Sequence, residues 1–185
     1  MEGQTVSYSQ STLTELMIPA YANFGGKIHG GTLLSLMDKV AYVCASKHAG
    51  NYCVTVSVDN VHFLEPAEVG DLVSMNASVN YVGNSSIVVG IRVTAENVRA
   101  GTIKHTNTSY FTMVAKNPDG GTTTVPPLIL EQDEEIRRFA SALRRKRLRK
   151  YASQRMDEYK SEFVVDDEVR AFLAEERCHI QLGEN

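Results

Sequence analysis

The hydrophobic pattern of the chain changes from helical to alternating near residue 50. Between Thr32 and Ala49 there is no proline or glycine, and apolar residues occupy nearly every side of a helix drawn through this segment. A helix that is apolar all round is typically buried, and polar residues interrupt this one too often for a membrane span. We therefore predict a long buried helix that begins after a glycine pair and ends at Gly50.

Four alternating runs follow this helix, and a shorter one precedes it. Each alternates apolar and polar residues and is rich in β-branched side chains, which is typical of half-buried strands in an antiparallel sheet. The predicted strands are Thr12–Met17, Cys53–Phe63, Leu72–Val82, Ser86–Val98 and Ile103–Ala115. One antiparallel sheet wrapped around one buried helix accommodates both patterns. We therefore predict an α+β fold.

Composition changes sharply after Pro126-Pro127. Residues 131–135 are acidic, and residues 137–155 contain nine basic residues and no acidic one. Acids at the start of a helix favour its dipole, so this segment predicts a charged helix, with a weaker one at Asp166–Glu176. We expect a domain over residues 1–128 and a basic helical extension over residues 129–185.

The basic run allows three interpretations. It is a solvated helix packed on the core or on a neighbouring subunit, a site for phosphate groups of a nucleotide, or a contact for nucleic acid or an anionic membrane. Aromatic residues are sparse in it, so base stacking has no support.

The overall composition narrows the class of protein. At 185 residues, 43% hydrophobic and a net charge of −3, one domain with an appendage is expected, and no nucleic-acid partner for the whole chain. The first residues show no basic-then-apolar leader, which predicts no secretory signal. The three cysteines have no metal-ligand spacing and the five histidines do not cluster. Reduced thiols, no metal site and a cytoplasmic location follow as expectations.

The candidate chemistry centres on Asp38, the one acid of the predicted helix. A buried, unpaired carboxylate is costly, so such a group is usually paired, neutralised or functional. Gly30 and Gly31 let a carbonyl oxygen approach the free N–H groups at the helix start, which would form an oxyanion site. Asn23 carries an amide that orients water or polarises a carbonyl, or it simply caps a turn. His29 is a turn residue or a base.

Several short motifs lie between Leu13 and Leu128, and their order and spacing together are specific. They are Asn23 with Gly26, His29-Gly30-Gly31, Met37-Asp38, Val54–Asp59, Phe63–Pro66 with Gly70-Asp71, Val82–Ser86 and His105–Thr108. In these residues the chain resembles acyl-coenzyme A thioesterases of the hotdog fold, specifically the cytosolic, brain-type acyl-CoA hydrolases.

The resemblance implies hydrolysis of acyl-CoA thioesters to a carboxylic acid and coenzyme A, with no further cofactor. Asp38 would act as general base or as nucleophile, with Asn23 supplied by the partner subunit. His29, Gly30 and Gly31 would position the substrate and its developing oxyanion. The coenzyme A contacts would come from the turn Gly83, Asn84, Ser85 and Ser86. The minimal active unit would be a homodimer, and a hexamer built as a trimer of dimers is expected.

Two other functions are also compatible with the sequence. A hydratase or dehydratase of the same fold uses a histidine with a helix acid, and His29 keeps that reading available. A non-catalytic acyl-CoA sensor would bind nucleic acid through the basic extension, but it would need neither Asn23 nor Asp38.

Overall fold

The computed structural model describes residues 1–181 and contains one central helix against one five-stranded sheet. The helices are α1 (Val6–Ser9), α2 (Gly30–Ala49), α3 (Asp133–Glu162) and α4 (Asp167–Ala174), with a 3₁₀ turn at Pro19–Tyr21. The strands are β1 (Gln4–Thr5), β2 (Ser11–Leu16), β3 (Cys53–Val58), β4 (Asp71–Val82), β5 (Ser86–Asn97), β6 (Thr102–Ala115) and β7 (Leu128–Ile129).

The main sheet has the order β2–β4–β5–β6–β3, and all of its neighbours are antiparallel. Its buried side chains line the face that packs on α2, including Val73, Met75, Val89, Ile91 and Phe111. The predicted α+β architecture, one long helix against an antiparallel sheet, is therefore confirmed. The short parallel pair of β1 and β7 was not predicted, because two-residue strands carry no alternation.

Strand β3 is shorter than predicted. It ends at Val58 instead of Phe63, and a bulge between Thr55 and Ser57 shifts its register with β6 before the last two pairs. Beyond the strand, the Asp59 N–H still donates to the Tyr110 carbonyl at 2.9 Å, but no continuous ladder follows. The segment after Val58 is therefore a loop that runs beside β6.

Helix α2 begins and ends with defined caps. The His29 side chain accepts a hydrogen bond from the Gly31 N–H at the first turn, and Gly50 ends the helix in the left-handed conformation at φ 64°. The left-handed conformation at this position favours glycine, because glycine has no Cβ. The predicted end at Gly50 is therefore confirmed, whereas the predicted start is wrong: the helix begins at Gly30 and includes the glycine pair, because His29 serves as its N-cap.

The prediction that α2 is buried on all sides is wrong for the single chain. One face, with Leu33, Met37 and Val40, is buried against the sheet. The opposite face is open: Tyr42 is 41% exposed, Val43 is 44% exposed, and the carboxylate-bearing Asp38 is also exposed. Packing against the chain's own sheet therefore does not account for the apolar residues on this second face.

The chain forms two compact units, Met1–Leu143 and Arg144–Asn185. The first unit includes β7 and the start of α3, where Glu135 accepts hydrogen bonds from the N–H groups of Glu131 and Gln132 at 2.7 and 3.2 Å. Phe139 contacts Tyr81 with ring centroids 5.0 Å apart, whereas Ile136 stays exposed. The second unit contains the rest of α3 and α4. The domain boundary at residue 128 stays a prediction.

Candidate active site

The middle of α2 and the start of β3 bring an acid and a hydroxyl into direct contact. Thr55 Oγ1 donates a hydrogen bond to Asp38 Oδ1 at 2.5 Å. Thr55 Oγ1 also lies 3.2 Å from Met113 Sδ on β6. A hydroxyl has one hydrogen to donate, and the carboxylate is the stronger acceptor, so Thr55 donates this hydrogen to Asp38 and not to Met113. The contact fixes the direction of the carboxylate and leaves its second oxygen available.

Two clefts meet at Asp38. The first, of about 470 Å³, is lined by Leu34, Ser35, Asp38, Val58, Asp59, Val61 and Phe111. The second, of about 510 Å³, is lined by Asp38, Lys39, Tyr42, Val43, Tyr52, Cys53, Val54, Thr55 and Met113. Most of these side chains are apolar, with few polar groups among them, which is typical of a small-molecule site. The carboxylate therefore lies on a wall that the two clefts share.

The predicted oxyanion residues divide into two roles. His29 Nδ1 accepts the Gly31 N–H at 2.9 Å, so this amide is already used and His29 is the N-cap of α2. The Gly30 N–H has no acceptor within residues 1–181. A Cβ at Gly30 would lie 3.3 Å from the Phe63 ring, so a larger residue at this position would be tight against that ring. Among the first two residues of α2, Gly30 is therefore the one whose N–H makes no hydrogen bond within residues 1–181.

Asn23 lies in a tight hairpin that leads into the same helix start. Its Oδ1 accepts hydrogen bonds from the N–H groups of Gly25 and Lys27 at 2.9 and 3.2 Å. Gly26 completes the turn at φ 75°. The turn-forming role of Asn23 is thus real, but it occupies only the amide oxygen. The Nδ2 group makes no hydrogen bond within residues 1–181.

The structure does not bring all of these groups together in one chain. At a rise of about 1.5 Å per residue, Asp38 lies about 12 Å further along the helix axis than Gly30. Asn23 lines neither of the two clefts that contain Asp38. One chain therefore presents a carboxylate at one place and amide donors at another.

The turn between β4 and β5 is closed by backbone bonds. The Gly83 N–H donates to the Ser86 carbonyl at 2.7 Å, while the carbonyls of Asn84 and Ser85 accept from Val125 and Ala115, both at 2.9 Å. These carbonyls face the protein, and the Asn84 side chain is exposed. Since Ala115 is paired with Cys53, the turn lies near the end of the second cleft.

Thr55 is the site residue that the sequence reasoning missed. Threonine is common in strands, so its presence in an alternating run carried no signal by itself. Its pairing with Asp38 depends on where β3 lies beside α2, which the hydrophobic pattern does not specify.

Elsewhere in the first unit, burial perturbs a histidine. His48 Nε2 lies 3.0 Å from the Pro126 carbonyl, and its buried Nδ1 has no hydrogen-bond partner. Burial lowers the pKa of His48 below its ordinary value of 6.5, so the ring is neutral and Nε2 carries the proton. Over residues 1–181, no three histidine, cysteine or acidic side chains are grouped so as to hold a metal ion.

Comparison with known proteins gives matches that agree with one another. The thioesterase superfamily profile matches residues 25–102. Protein VdlD of Helicobacter pylori is 45% identical over 145 residues, which cover 78% of this chain and 83% of VdlD. The cytosolic acyl coenzyme A thioester hydrolase of Rattus norvegicus is 34% identical over 140 residues, covering 75% of this chain and 37% of that longer protein.

Solved structures agree with these sequence matches. An apo-hexameric acyl-CoA thioesterase is 34% identical, with a TM-score of 0.80 over 83% of this chain and 98% of its own. An acyl-CoA hydrolase from Staphylococcus aureus, solved with butyryl coenzyme A and coenzyme A, is 31% identical, with a TM-score of 0.75 over 86% of this chain and 99% of its own.

The fold and the site together define a hotdog-type thioester hydrolase. The chain belongs to the thioesterase superfamily. Its similarity to the cytosolic acyl-CoA hydrolases confirms the resemblance found in the sequence motifs, and the predicted enzyme class is confirmed with it.

Proposed function

We propose that this protein hydrolyses acyl-CoA thioesters to a carboxylic acid and coenzyme A, at a site shared by two copies of the chain. The observation that carries the proposal is the Asp38–Thr55 hydrogen bond at the junction of the two clefts. One cleft would take the acyl chain and the other the pantetheine arm of coenzyme A. The thioester carbonyl would then lie beside Asp38.

Asp38 activates the attack on the thioester. As a general base it would take a proton from water while the water oxygen bonds to the carbonyl carbon. As a nucleophile it would form an anhydride with the acyl group, which water then cleaves. In both routes the bond from carbon to sulfur breaks and coenzyme A leaves as the thiol. Thr55 keeps the carboxylate directed at the reacting atoms.

The amide donors come from the second copy. As the carbonyl carbon is attacked, negative charge develops on its oxygen, and the Gly30 N–H at the positive end of α2 is suited to stabilise it. The Asn23 Nδ2 group would hold the attacking water or the carbonyl. Gly30 lies about 12 Å along the helix axis from Asp38 of its own chain, and Asn23 lines neither cleft that contains Asp38, which is the geometric reason for proposing a site between copies.

Two further observations support a shared site. The exposed apolar face of α2, with Tyr42 and Val43 beside Asp38, is suited to cover its counterpart on a second copy. The apo-hexameric relative assembles as a hexamer, and we extend this state, as a trimer of dimers, to the present chain.

The structure holds no helix, in residues 1–181, that is long and apolar enough to cross a bilayer.

The residue choice has independent support from a relative. The Staphylococcus aureus hydrolase has been solved with an asparagine, an aspartate or a threonine replaced by alanine. These three positions are spaced along that chain as Asn23, Asp38 and Thr55 are along this one. We therefore assign Thr55 to the site together with the two residues that the sequence analysis had selected.

The remaining parts of the function are carried over as proposals. The turn from Gly83 to Ser86, through its outward amides and hydroxyls, would contact coenzyme A near the end of the second cleft. The reaction would need no cofactor, because coenzyme A is part of the substrate. A cytoplasmic location is proposed from the similarity to a cytosolic hydrolase. The hydratase alternative loses support, because His29 Nδ1 is used in capping α2.

The test is thiol release from acyl-CoAs of short, long and aryl chains, with Asp38→Asn and the matched control Asp59→Asn. Both acids line the first cleft, but only Asp38 is bonded to Thr55. We expect hydrolysis by the unmodified protein and by Asp59→Asn, and its loss in Asp38→Asn with an unchanged circular dichroism spectrum. Thiol release that survives in Asp38→Asn, or hydration of crotonyl-CoA with the thioester intact, would contradict the proposal.

A further inference from the structure

The start of α2 has the ring of Phe63 on one side. The three atoms nearest to a Cβ built at Gly30, the first residue of the helix, would all belong to this ring, at 3.3, 3.4 and 4.0 Å. Heavy atoms at these distances are in contact. A side chain at Gly30 would therefore already touch the ring, and the ring borders the backbone of the helix start at close range.

Two backbone hydrogen bonds hold the loop that carries Phe63. The Asp59 N–H donates to the Tyr110 carbonyl, and the Leu64 N–H donates to the Thr106 carbonyl, both at 2.9 Å. Both acceptors lie on β6, so the loop is attached to the sheet on either side of the ring. The sheet therefore fixes where the ring lies beside the start of α2.

The ring is not buried by its position beside the helix. Phe63 is 44% exposed in the single chain. A single exposed aromatic residue is normal on a protein surface, but this one borders Gly30, whose N–H makes no hydrogen bond within residues 1–181. An apolar surface beside a free hydrogen-bond donor is suited to a ligand in which a carbonyl group is bonded to a carbon chain.

We propose that Phe63 is a specificity-determining residue that excludes acyl groups branched at the carbon next to the thioester carbonyl. The inference rests on the proposed function, in which the Gly30 N–H binds the carbonyl oxygen of a substrate held at Asp38 of a second copy. A ring that borders Gly30 then also borders the acyl carbon bonded to that carbonyl. An unbranched chain has only hydrogens at this carbon and fits beside the ring, whereas a methyl branch overlaps it.

The acyl side of the thioester is favoured over the coenzyme A side by the chemistry of the ring. The pantetheine arm carries amide groups, which need hydrogen-bond partners when they leave water, and a phenyl ring offers none. The acyl carbons are apolar and need no such partner. One methyl group more or less in an apolar pocket is worth a factor of about ten or more in kcat/KM, which sets the size of the expected discrimination.

The test compares two isomers, α-methylbutyryl-CoA and β-methylbutyryl-CoA, which differ only in whether the branch lies next to the carbonyl. We expect the unmodified protein and Phe63→Tyr to prefer the β isomer about tenfold in kcat/KM, and Phe63→Ala to lose this preference. The matched control, Leu64→Ala, removes a neighbouring side chain that is 64% exposed and should keep the preference. A ring that only stabilised the fold would lower both values together and leave their ratio unchanged, which would overturn the inference.

Mixed assemblies show which copy supplies the ring. When chains with Asp38→Ala are combined with chains with Asn23→Ala, one site of each mixed dimer keeps both native residues. In that site the Gly30 N–H and the Phe63 ring come from the chain that carries Asp38→Ala. Adding Phe63→Ala to this chain should remove the preference between isomers, whereas adding it to the Asn23→Ala chain should leave the preference unchanged. The reverse result would overturn the inference.

Two controls separate the possible failures. Circular dichroism checks that each variant is folded, and if Phe63→Ala is not, Phe63→Leu makes a smaller change and is judged by the same ratio. No thiol release from any acyl-CoA by the unmodified protein would overturn the proposed function and this inference with it. Normal hydrolysis with the same ratio in Phe63→Ala as in the unmodified protein would overturn this inference alone.

Discussion

Removing the hydroxyl that holds Asp38 is the sharpest test of the site geometry. Thr55→Val keeps the shape of the side chain and its strand preference but removes the donor at 2.5 Å from the carboxylate. A hydrogen bond to a charged group contributes roughly 1.5–3 kcal/mol net. Because both side chains are exposed in the single chain, solvent screening places the effect near the lower end of that range.

At about 1.4 kcal/mol for each factor of ten, the loss corresponds to a fall in kcat of about tenfold. The reduction should appear in kcat more than in KM, because Thr55 directs a reacting group and does not hold the bulk of the substrate. The assay is steady-state thiol release, with Thr55→Ser as the matched control that keeps the hydroxyl. Activity of Thr55→Val equal to that of Thr55→Ser would refute the role assigned to this hydrogen bond.

Three other predictions concern stability and reactivity. Burial lowers the pKa of His48, so below pH 6.5 the unfolded chain binds more protons than the folded chain. The free energy of unfolding should therefore be highest above pH 6.5 and fall as the pH drops below it. Urea titrations should show a weaker dependence on pH in His48→Gln. Burial raises the pKa of Cys44 to about 12, so a disulfide reagent at neutral pH should modify the exposed Cys178 and leave Cys44 unreacted until the protein unfolds. Gly90→Ala should lower the melting temperature, because the new methyl would overlap the Asn80 amide; an unchanged melting temperature would show that Asn80 moves aside freely.

The main elements were predictable because their signals are local. Period-two alternation marks β4, β5 and β6, and the glycine-containing turns between them set their ends to within a residue or two. The helix was recognisable from its length without glycine or proline, and its stop at Gly50 from the need for a left-handed residue.

The burial of α2 was predicted wrongly for a physical reason. Apolar side chains on two opposite faces of a helix look alike in a sequence, whether a face meets the chain's own sheet or another molecule. Met37 meets the sheet, whereas Tyr42 and Val43 remain exposed in the single chain. The environment of Asp38 follows from this: it is an exposed carboxylate paired with Thr55 rather than a buried one.

The roles of Asn23 and His29 also required the structure. From the sequence, each of the two residues could serve either as a turn residue or in the reaction. The structure shows that the local bonds use one atom of each, Asn23 Oδ1 and His29 Nδ1. Only the hydrogen bonds in the structure show that the Asn23 Nδ2 group is available whereas the His29 Nδ1 atom is occupied.

Mixing two inactive variants shows whether the active site is divided between two copies of the chain. One variant carries Asp38→Ala and the other Asn23→Ala, and they are co-expressed with different affinity tags so that mixed assemblies form. In a shared site, each mixed dimer contains one site with both native residues and one with neither, so random pairing at equal amounts restores about a quarter of the unmodified activity. Recovery to about this level is the predicted result. If the mixture stays as inactive as the two variants alone while mixed assemblies are present, both residues act within one chain and the account is contradicted.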